Sequence, residues 1–269
     1  MNTLSKLYYY FRLSIFEFVK YRLHLSVIFY SLLLYNNIRL NGDINYFITL
    51  SFTLWHFALF LFDRIYDRKL DAVSQSEEYI KDKQANPLYI VFAVCLLTSF
   101  ILYFFSSANI FYWALLFPIT FLYPLRIVNQ FRFKNILIIK NLYSALLIYI
   151  LPLLIQTYII NPDSILNSTT LKPLLSLGLY VWLGEVFWDI RDLSADKTHG
   201  VHTIPNTFGI TITKVFMVSI ILIDAALNNW SFSLSAFIYI VLLTFIKESS
   251  DRLFFHLPPL IAMLRFILN

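Results

Sequence analysis

Three aspartates at the end of an apolar run are spaced for joint chemistry. Asp63, Asp67 and Asp71 lie four residues apart in the stretch FDRIYDRKLD, which closes the run INYFITLSFTLWHFALFLF. Side chains at this spacing share one face of a helix, and like charges on one face repel one another. A compensating group of opposite charge is therefore expected beside them.

A second acidic cluster lies further along the chain, in the sequence GEVFWDIRDLSADKTHG. Glu185, Asp189, Asp192 and Asp196 are separated by four, three and four residues, so they too form one stripe on a helix. This cluster also closes an apolar segment and leads into a charged connection. The sequence predicts that both clusters converge at the same face of a membrane.

The binding of divalent cations is the chemistry that such a pair of clusters suits. Carboxylate oxygens are natural ligands of Mg²⁺, which takes one or two carboxylates and completes its shell with water and substrate phosphates. Two facing stripes would hold a diphosphate through bridging Mg²⁺. Ionisable residues at membrane depth favour this functional interpretation. The alternative is that the carboxylates are solvated loop charges, paired with the basic residues Arg64, Arg68, Lys69, Arg191 and Lys197.

The composition indicates that membrane helices position these clusters. Of the 269 residues 59% are apolar and 14% are charged, and the mean hydropathy is +0.68. So few charges do not cover a soluble globule of this size. The apolar runs are continuous, which favours helices over a β-barrel, because a barrel would need alternating polar residues. With 5 glycines the chain has no glycine-rich phosphate loop.

Nine apolar segments are candidate spans, although hydropathy alone does not separate nine spans from eight. We predict an all-α membrane protein, a bundle of about nine transmembrane helices around a central cavity. A single transmembrane domain is expected at 23–269, preceded by an interfacial segment at 1–22 without the pattern of a cleaved signal. The candidate spans are 23–36, 45–62, 87–106, 109–125, 136–158, 171–188, 209–227, 231–246 and 253–268.

Basic residues concentrate on alternate connections, which predicts the orientation of the bundle. The odd-numbered connections contain only Arg39 and Lys172, whereas the N-terminus and the even-numbered connections contain most of the Lys and Arg residues. By the positive-inside rule, the N-terminus and both acidic clusters face the cytoplasm. The net charge of +5 therefore reports membrane topology, and we expect a lipid bilayer and no nucleic acid as partner.

The two clusters resemble the signatures of the UbiA superfamily of intramembrane prenyltransferases. The first signature reads Asn-x-x-x-Asp-x-x-x-Asp, and here Asp63 stands where Asn is usual. The second reads Asp-x-x-Asp-x-x-x-Asp, followed by a glycine and a Thr-Leu-Pro-like turn, which here are Gly200 and Thr203-Ile204-Pro205. The segment FLYPLRIVNQFRFKNILIIKNL resembles the family's basic connection with its Lys-Asn pair, here beginning at Lys140. The resemblance extends over about residues 25–260.

This resemblance implies that an isoprenyl diphosphate lies in the bundle with its head at the cytoplasmic mouth. Mg²⁺ would join the diphosphate to the aspartates, the allylic C–O bond would ionise, and a small acceptor, commonly aromatic, would attack the carbocation. The implied metal ligands are Asp63, Asp67, Asp71, Asp189, Asp192 and Asp196. The basic side chains that would stabilise the departing diphosphate are Arg64, Arg68, Arg126, Lys134 and Lys140, of which Arg126 and Lys140 are favoured.

Further residues are placed near the cavity by their spacing. Lys140 lies inside an apolar run, where a lone lysine is costly unless it is paired. Glu185 precedes Asp192 by seven residues on the same stripe, and a buried carboxylate there would take the proton of the acceptor or hold its hydroxyl. His56 precedes Asp63 by the same interval and is expected to do similar work. The aromatic residues predicted near the cavity are Tyr123, Tyr143 and Trp188.

Three other functions are compatible with the same residues. A terpene cyclase of the same superfamily would keep the ionisation and let the cation cyclise without an acceptor. A transporter or cation-binding protein would use carboxylates along a path, but transport sites usually lie near the bilayer midplane, and these carboxylates gather at one face. A catalytically inactive regulator is disfavoured because both clusters keep their aspartates. The loop after Asp71 lacks an Arg-Pro-Leu-like element common in quinone-pathway members, so the acceptor stays open.

Overall fold

The computed structural model describes residues 14–40, 42–74, 79–123, 125 and 136–268, and every regular element in these ranges is helical. Two of the predicted basic residues, Arg126 and Lys134, lie outside the described residues. The first half of the predicted interfacial segment, residues 1–13, lies outside them as well.

Each predicted apolar segment overlaps one of the longer helices, and the predicted all-α fold is confirmed. The shorter helices α3 and α8 each follow a longer helix after a single non-helical residue, and 3₁₀ turns cover Pro162–Ser164 and Arg252–His256. The helices are α1 Leu23–Arg39, α2 Tyr46–Tyr66, α3 Arg68–Ser74, α4 Asp82–Phe105, α5 Ile110–Leu122, α6 Ile139–Ile160, α7 Ser168–Arg191, α8 Leu193–His199, α9 Ile204–Leu227, α10 Leu234–Phe245 and α11 Leu257–Ile267.

Four helices of the described chain, α2, α4, α6 and α9, are long and apolar enough to cross a bilayer. In α4 only 17% of the most apolar window is buried inside the bundle, against 61% in α2. The exposed side chains of α4 include Ile90, Val94, Leu97 and Phe104. Such a surface is suited to lipid, because a helix satisfies its own backbone and needs only apolar side chains towards the hydrocarbon.

Helix α7 lies at the centre of the bundle. It packs against α6, α9 and α11, while α1 packs against α2, α6 and α11. The side chains of Leu177, Leu183, Phe187 and Ile190 are fully buried along its length. Because α7 also carries the second acidic cluster, the fold brings these carboxylates into the interior of one end of the bundle.

Two glycines form the return from that end of the bundle. Gly200 has φ 66° and ends α8, and Gly209 has φ 82° at a kink inside α9. A residue with a Cβ is strained at such positive φ values, so glycine is favoured at both positions. Pro205 lies at the start of α9, where its missing N–H has no helical partner to lose. The glycine and Thr-Ile-Pro elements after the second cluster are therefore parts of one turn.

A buried ion pair joins α9 and α11 at the opposite end. Arg265 Nε lies 2.8 Å from Asp224 Oδ2, and both side chains are almost fully buried. Asn228 donates to Asp224 Oδ1 at 3.1 Å and to Ser176 Oγ of α7 at 3.1 Å. The charges are thus paired and hydrogen-bonded, which is the condition under which ions are tolerated in a protein interior.

We expect Asp224→Asn to lower the free energy of unfolding by about 3 kcal/mol, because it leaves the Arg265 guanidinium buried without its counter-charge. The matched control is Asp82→Asn. Asp82 also pairs with an arginine, Arg68, at 2.6 Å, but its own side chain is exposed, so little stability should be lost. SDS-induced unfolding of the detergent-solubilised variants measures both effects. Equal losses at the two positions would show that the Asp224–Arg265 pair does not hold α9 to α11.

Candidate active site

The two acidic clusters share one local geometry that the sequence did not predict. Helix α2 ends at Tyr66, and Asp67 follows with φ −92° and ψ 5°. Helix α7 ends at Arg191, and Asp192 follows with φ −97° and ψ 11°. A seven-residue helix follows each of these aspartates. Each cluster therefore lies across a break between two helices, where a single continuous helical stripe was expected.

The breaks preserve the spacing of the carboxylates along the backbone. The amide of Asp71 donates to the carbonyl of Asp67 at 2.9 Å, and the amide of Asp196 donates to the carbonyl of Asp192 at 2.8 Å. Each break thus keeps its two flanking aspartates one turn apart.

Helices α3 and α8 pack against each other, and this contact brings the two clusters together. Asp71 of the first cluster feels the charge of Asp192 in the second. Burial raises the pKa of Asp71 to about 6, a shift that Arg64 opposes and that Asp63 and Asp192 increase. The predicted convergence of the clusters is therefore present between these two residues.

Arginines compensate part of this concentrated negative charge. Arg64 Nη1 lies 2.5 Å from Asp71 Oδ2, and the Arg64 side chain is 2% exposed. Arg191 Nη2 lies 2.7 Å from Asp192 Oδ2, and Arg252 approaches the same carboxylate at 3.6 Å. Burial works against ionisation of Asp192, but Arg191, Lys140 and Arg252 together outweigh it and hold the pKa of Asp192 below its usual value.

Arg68, another residue predicted to meet the diphosphate, is engaged elsewhere. Its Nε lies 2.6 Å from Asp82, and its Nη1 donates to the carbonyl of Ile65 at 3.0 Å. Asp82 lies at the start of α4, outside both clusters. The Arg68 guanidinium therefore lies beside the clusters but forms a separate ion pair with Asp82.

Lys140 has the partner that its position in an apolar run required. Its Nζ lies 2.5 Å from Asp189 Oδ1, and Asn141 donates to Asp189 Oδ2 at 3.1 Å. Asp189 is 1% exposed, so both oxygens of a buried carboxylate are satisfied from α6. This arrangement fixes the start of α6 against α7.

Ser144 makes the next contact along α6, one turn from Lys140. Its hydroxyl donates to Glu185 Oε1 at 2.6 Å, and both residues are buried. Ser144 begins a π-helical stretch that extends to Ile150. π-Helical turns are frequent at functional sites because they displace side chains from regular helical positions. Sequence reasoning missed Ser144, although its spacing of four from Lys140 was a usable signal.

The surroundings of Asp196 show whether these residues fit a metal ion. Burial raises the pKa of Asp196 to about 7, with Asp189 and Asp192 adding to the shift and Lys140 opposing it. Its Oδ2 is buried without a well-aligned hydrogen bond, even though the Thr203 hydroxyl is close by. A buried carboxylate oxygen in this condition suits a cation.

Three other carboxylates of the clusters, Asp71, Asp189 and Asp192, are paired with basic side chains. Among the described residues, no three or more His, Cys, Asp or Glu side chains surround a single point. Mg²⁺ takes only one or two carboxylates where a substrate supplies phosphate oxygens, so the carboxylate set of the two clusters fits this ion.

The predicted aromatic residues occupy defined positions. The rings of Tyr123 and Tyr143 are 5.2 Å apart, and the Tyr143 hydroxyl donates to the carbonyl of Ile119 at 3.0 Å. Trp188 donates its indole N–H to the carbonyl of Phe255. The guanidinium of Arg22 lies 5.1 Å from the centre of the Trp188 ring, a cation–π contact that the sequence did not predict.

His56 lies in the bundle interior. Its ring stacks on Phe29 at 4.2 Å and meets Tyr149 edge-on at 5.1 Å. Ser26 Oγ is 3.4 Å from His56 Nδ1, and His56 Nε2 is buried without a partner in the described part of the chain. The aromatic packing around His56 is consistent with a neutral ring.

A small cavity of about 20 Å³ lies beside the second cluster. It lies between α1, α6, α7 and α11, and it has Glu185 and Trp188 in its wall. Most of its remaining lining is apolar. At this size the cavity has room for about one water molecule next to Glu185.

Comparisons with known proteins identify the same architecture. A sequence model of the UbiA prenyltransferase family matches residues 25–249. A UbiA homolog from Archaeoglobus fulgidus bound to DMAPP and Mg²⁺ aligns at 15% identity with a TM-score of 0.59, covering 92% of this chain and 96% of that one.

Two further solved structures align over similar lengths. The apo UbiA homolog from Aeropyrum pernix K1 is 13% identical, with a TM-score of 0.56 over 90% of this chain and 96% of that one. A digeranylgeranylglyceryl phosphate synthase is 16% identical, with a TM-score of 0.54 over 94% and 98%. At these identities the similarity shows the fold alone. A search of curated protein sequences gave no significant match.

The contact between Lys140 and Asp189 generates a prediction about stability. Lys140→Gln should lower the free energy of unfolding by about 3 kcal/mol, because it leaves a buried carboxylate without its cation. Adding Asp189→Asn removes that uncompensated charge, so the double variant should recover much of the loss, with a coupling energy of about 1–3 kcal/mol. SDS-induced unfolding of the four proteins in this double-mutant cycle measures the coupling. Effects that add within about 0.5 kcal/mol would mean that the pair does not act as a unit.

Proposed function

We propose that this chain, which belongs to the UbiA prenyltransferase family, transfers an isoprenyl group from a prenyl diphosphate to a small acceptor in a Mg²⁺-dependent reaction. The protein is an integral membrane protein, as its apolar helices and its family indicate. The observation that carries the proposal is the contact between α3 and α8, which puts Asp71 within electrostatic range of Asp192. Two acidic clusters facing each other form a clamp for a metal-bound diphosphate.

The clamp would use carboxylates from both clusters. When bound, Mg²⁺ would neutralise the charge that develops on the departing diphosphate. The Archaeoglobus fulgidus homolog, which binds DMAPP and Mg²⁺, supports this assignment by analogy of fold. The residues proposed to hold the metal are Asp63, Asp67, Asp71, Asp189, Asp192 and Asp196.

Basic residues would hold the diphosphate from the other side. Arg64 and Lys140 already lie at the clusters, each paired with an aspartate at 2.5 Å. When a cation joins the aspartates, these basic groups are free to contact phosphate oxygens, where they would stabilise developing negative charge. Arg68, next to the same cluster, would also contact phosphate oxygens once its ion pair with Asp82 has opened. Arg126 and Lys134 remain predictions from the sequence.

The proposed reaction balances in atoms and charge. The C1–O bond of the prenyl diphosphate breaks, and its electron pair leaves with the diphosphate. The acceptor supplies the electron pair of the new bond to C1 and loses one proton. Glu185, buried and held by Ser144, is proposed to take that proton or to orient the group that carries it. Tyr123, Tyr143, Trp188 and His56 are proposed to line the space around the reacting groups.

The reaction test uses purified protein in nanodiscs, supplied with Mg²⁺, farnesyl or geranylgeranyl diphosphate, and a panel of phenolic, naphtholic and glycerol-phosphate acceptors. Asp67→Asn and Asp192→Asn should each reduce diphosphate release by at least about 100-fold, since even the outer-shell partners of a metal contribute 10–100-fold. The matched control is Asp163→Asn. Asp163 is exposed in the 3₁₀ turn before α7, so this variant should keep the parental rate.

The products decide between the proposal and its alternatives. Acceptor-dependent release with a prenylated product supports the transferase. Release without an acceptor, giving a hydrocarbon or an alcohol, would point to a terpene cyclase. If the parent and both cluster variants release no diphosphate under any condition, the clamp is not catalytic, and a cation-binding or transport role takes its place.

We further propose that the N-terminus and the acidic clusters face the cytoplasm, because Lys and Arg concentrate on the connections at that end. Single cysteines in a Cys95→Ser background test this orientation. Lys197→Cys, at an exposed position of α8, should react with a membrane-impermeant maleimide only in inside-out vesicles. Leu166→Cys, 81% exposed before α7, should react only in intact cells. The reverse labelling pattern would overturn the assignment.

A further inference from the structure

A lysine outside both acidic clusters lies within one of the lipid-exposed helices. Lys214 is part of α9, which is long and apolar enough to cross a bilayer. Its side chain is partly exposed, and the neighbouring residues Ile212 and Val215 are 57% and 63% exposed. An ionisable side chain in a membrane-spanning helix is costly unless it is paired, so a partner for Lys214 has to be found.

The described part of the chain supplies no such partner. None of its ion pairs or hydrogen bonds involves the Lys214 ammonium. Thr211, one turn before Lys214, has an exposed side chain whose hydroxyl makes no hydrogen bond to a described residue. Two other hydroxyls of α9 bond within the helix, since Thr213 donates to Gly209 at 2.8 Å and Ser219 donates to the carbonyl four residues before it at 3.0 Å. Lys214 and Thr211 are therefore two neighbouring donors that are available to a ligand.

The depth of Lys214 in the bilayer follows from the kink in α9. The kink lies at Gly209, which has φ 82° and ψ 162°. From Gly209 to Leu227 the helix is about 27 Å long, close to the thickness of about 30 Å of the hydrocarbon core. Lys214 lies only about 8 Å along the axis from Gly209. Its Cβ tilts towards the start of the helix, so its four-carbon stem carries the ammonium towards the lipid headgroups.

A phospholipid has the two features that this face of α9 requires of a partner. Its acyl chains suit the apolar surface of Ile212 and Val215. Its phosphate accepts hydrogen bonds and is negatively charged, which suits the Lys214 ammonium and the Thr211 hydroxyl. An anionic headgroup is favoured over a zwitterionic one, because a zwitterionic headgroup adds a cation of its own beside the lysine.

We propose that Thr211 and Lys214 form a binding site for the phosphate group of an anionic phospholipid on the lipid-exposed face of α9. The acyl chains lie along Ile212 and Val215, and the phosphate neutralises Lys214. Because α9 starts just after Gly200, which ends α8, the bound lipid belongs to the leaflet next to the acidic clusters. The proposal does not depend on prenyl transfer.

A fluorescent reporter beside Lys214 tests the site. Val215→Cys in a Cys95→Ser background is labelled with bimane, and the protein is reconstituted in phosphatidylcholine mixed with brominated phosphatidylglycerol or brominated phosphatidylcholine. Quenching by the two brominated lipids gives the binding constant of phosphatidylglycerol relative to phosphatidylcholine at this position. We expect a ratio of at least about three, because one lysine near the membrane surface attracts an anionic lipid by about this factor.

Substitutions at Lys214 separate its charge from its packing. Lys214→Met removes the charge and should lower the ratio to about one, whereas Lys214→Arg keeps the charge and should keep the ratio. The matched control is Lys247→Met. Lys247 is exposed in a connection at the same end of the bundle, where Glu248 accepts from the amide of Ser194 at 2.9 Å, so this variant should keep the parental ratio. A parental ratio near one, or an unchanged ratio in Lys214→Met, would overturn the proposal.

Two further measurements test whether the ligand is a lipid and whether the site is local. Replacing chloride by inorganic phosphate at equal ionic strength should leave the ratio unchanged, and its loss would show a site for free phosphate instead. A bimane label at Val94→Cys, among the apolar side chains Ile90 and Leu97 of α4, should report a ratio near one. The same preference at positions 94 and 215 would mean a general attraction of anionic lipid and would overturn the assignment to Lys214.

Discussion

A carboxylate inside a membrane bundle needs a compensating group beside it, and much of this structure follows from that requirement. Asp189 is 1% exposed and is satisfied by Lys140 and Asn141, which ties α6 to α7. Asp224 is paired with Arg265, which ties α9 to α11 at the other end. The costs of burying charge are large, so each such pair fixes the position of two helices relative to each other. The central helix α7 is held in this way close to the two acidic clusters.

The two halves of the proposed clamp share the same local backbone geometry. In each half a long helix ends just before an aspartate with φ near −90°, and a short helix carries the next aspartate one turn on. Because α3 and α8 then pack against each other, the turned segments face one another. The break thus converts two stripes on separate helices into two sides of one site. Arg64 and Arg191 offset the repulsion between the like charges, because each pairs with an aspartate of its own cluster.

The approach of α7 to α11 depends on a different property of the same helix. Glycine at position 184 lets α7 approach α11, because an added Cβ there would come within 3.3 Å of Pro258. Glu185, the next residue, faces the cavity and Ser144. One stretch of α7 therefore supplies a buried ion pair at Asp189 and, one turn away, a carboxylate that borders a small cavity. The difference between these carboxylates is their partners, since one receives a lysine and an amide and the other a single hydroxyl.

The sequence by itself determined the all-α membrane fold, because continuous apolar runs can satisfy the backbone in lipid only as helices. It also determined which carboxylates belong together, since spacing along a helix is a local property, and it required a partner for Lys140. Only the tertiary structure decided that this partner is Asp189, that Arg68 turns to Asp82, and that Arg22 lies over Trp188. Those contacts join helices far apart in the chain, and several partners are compatible with the local pattern. The breaks at Asp67 and Asp192 belong to this second group, because the packing of α3 on α8 favours them over a continuous helix.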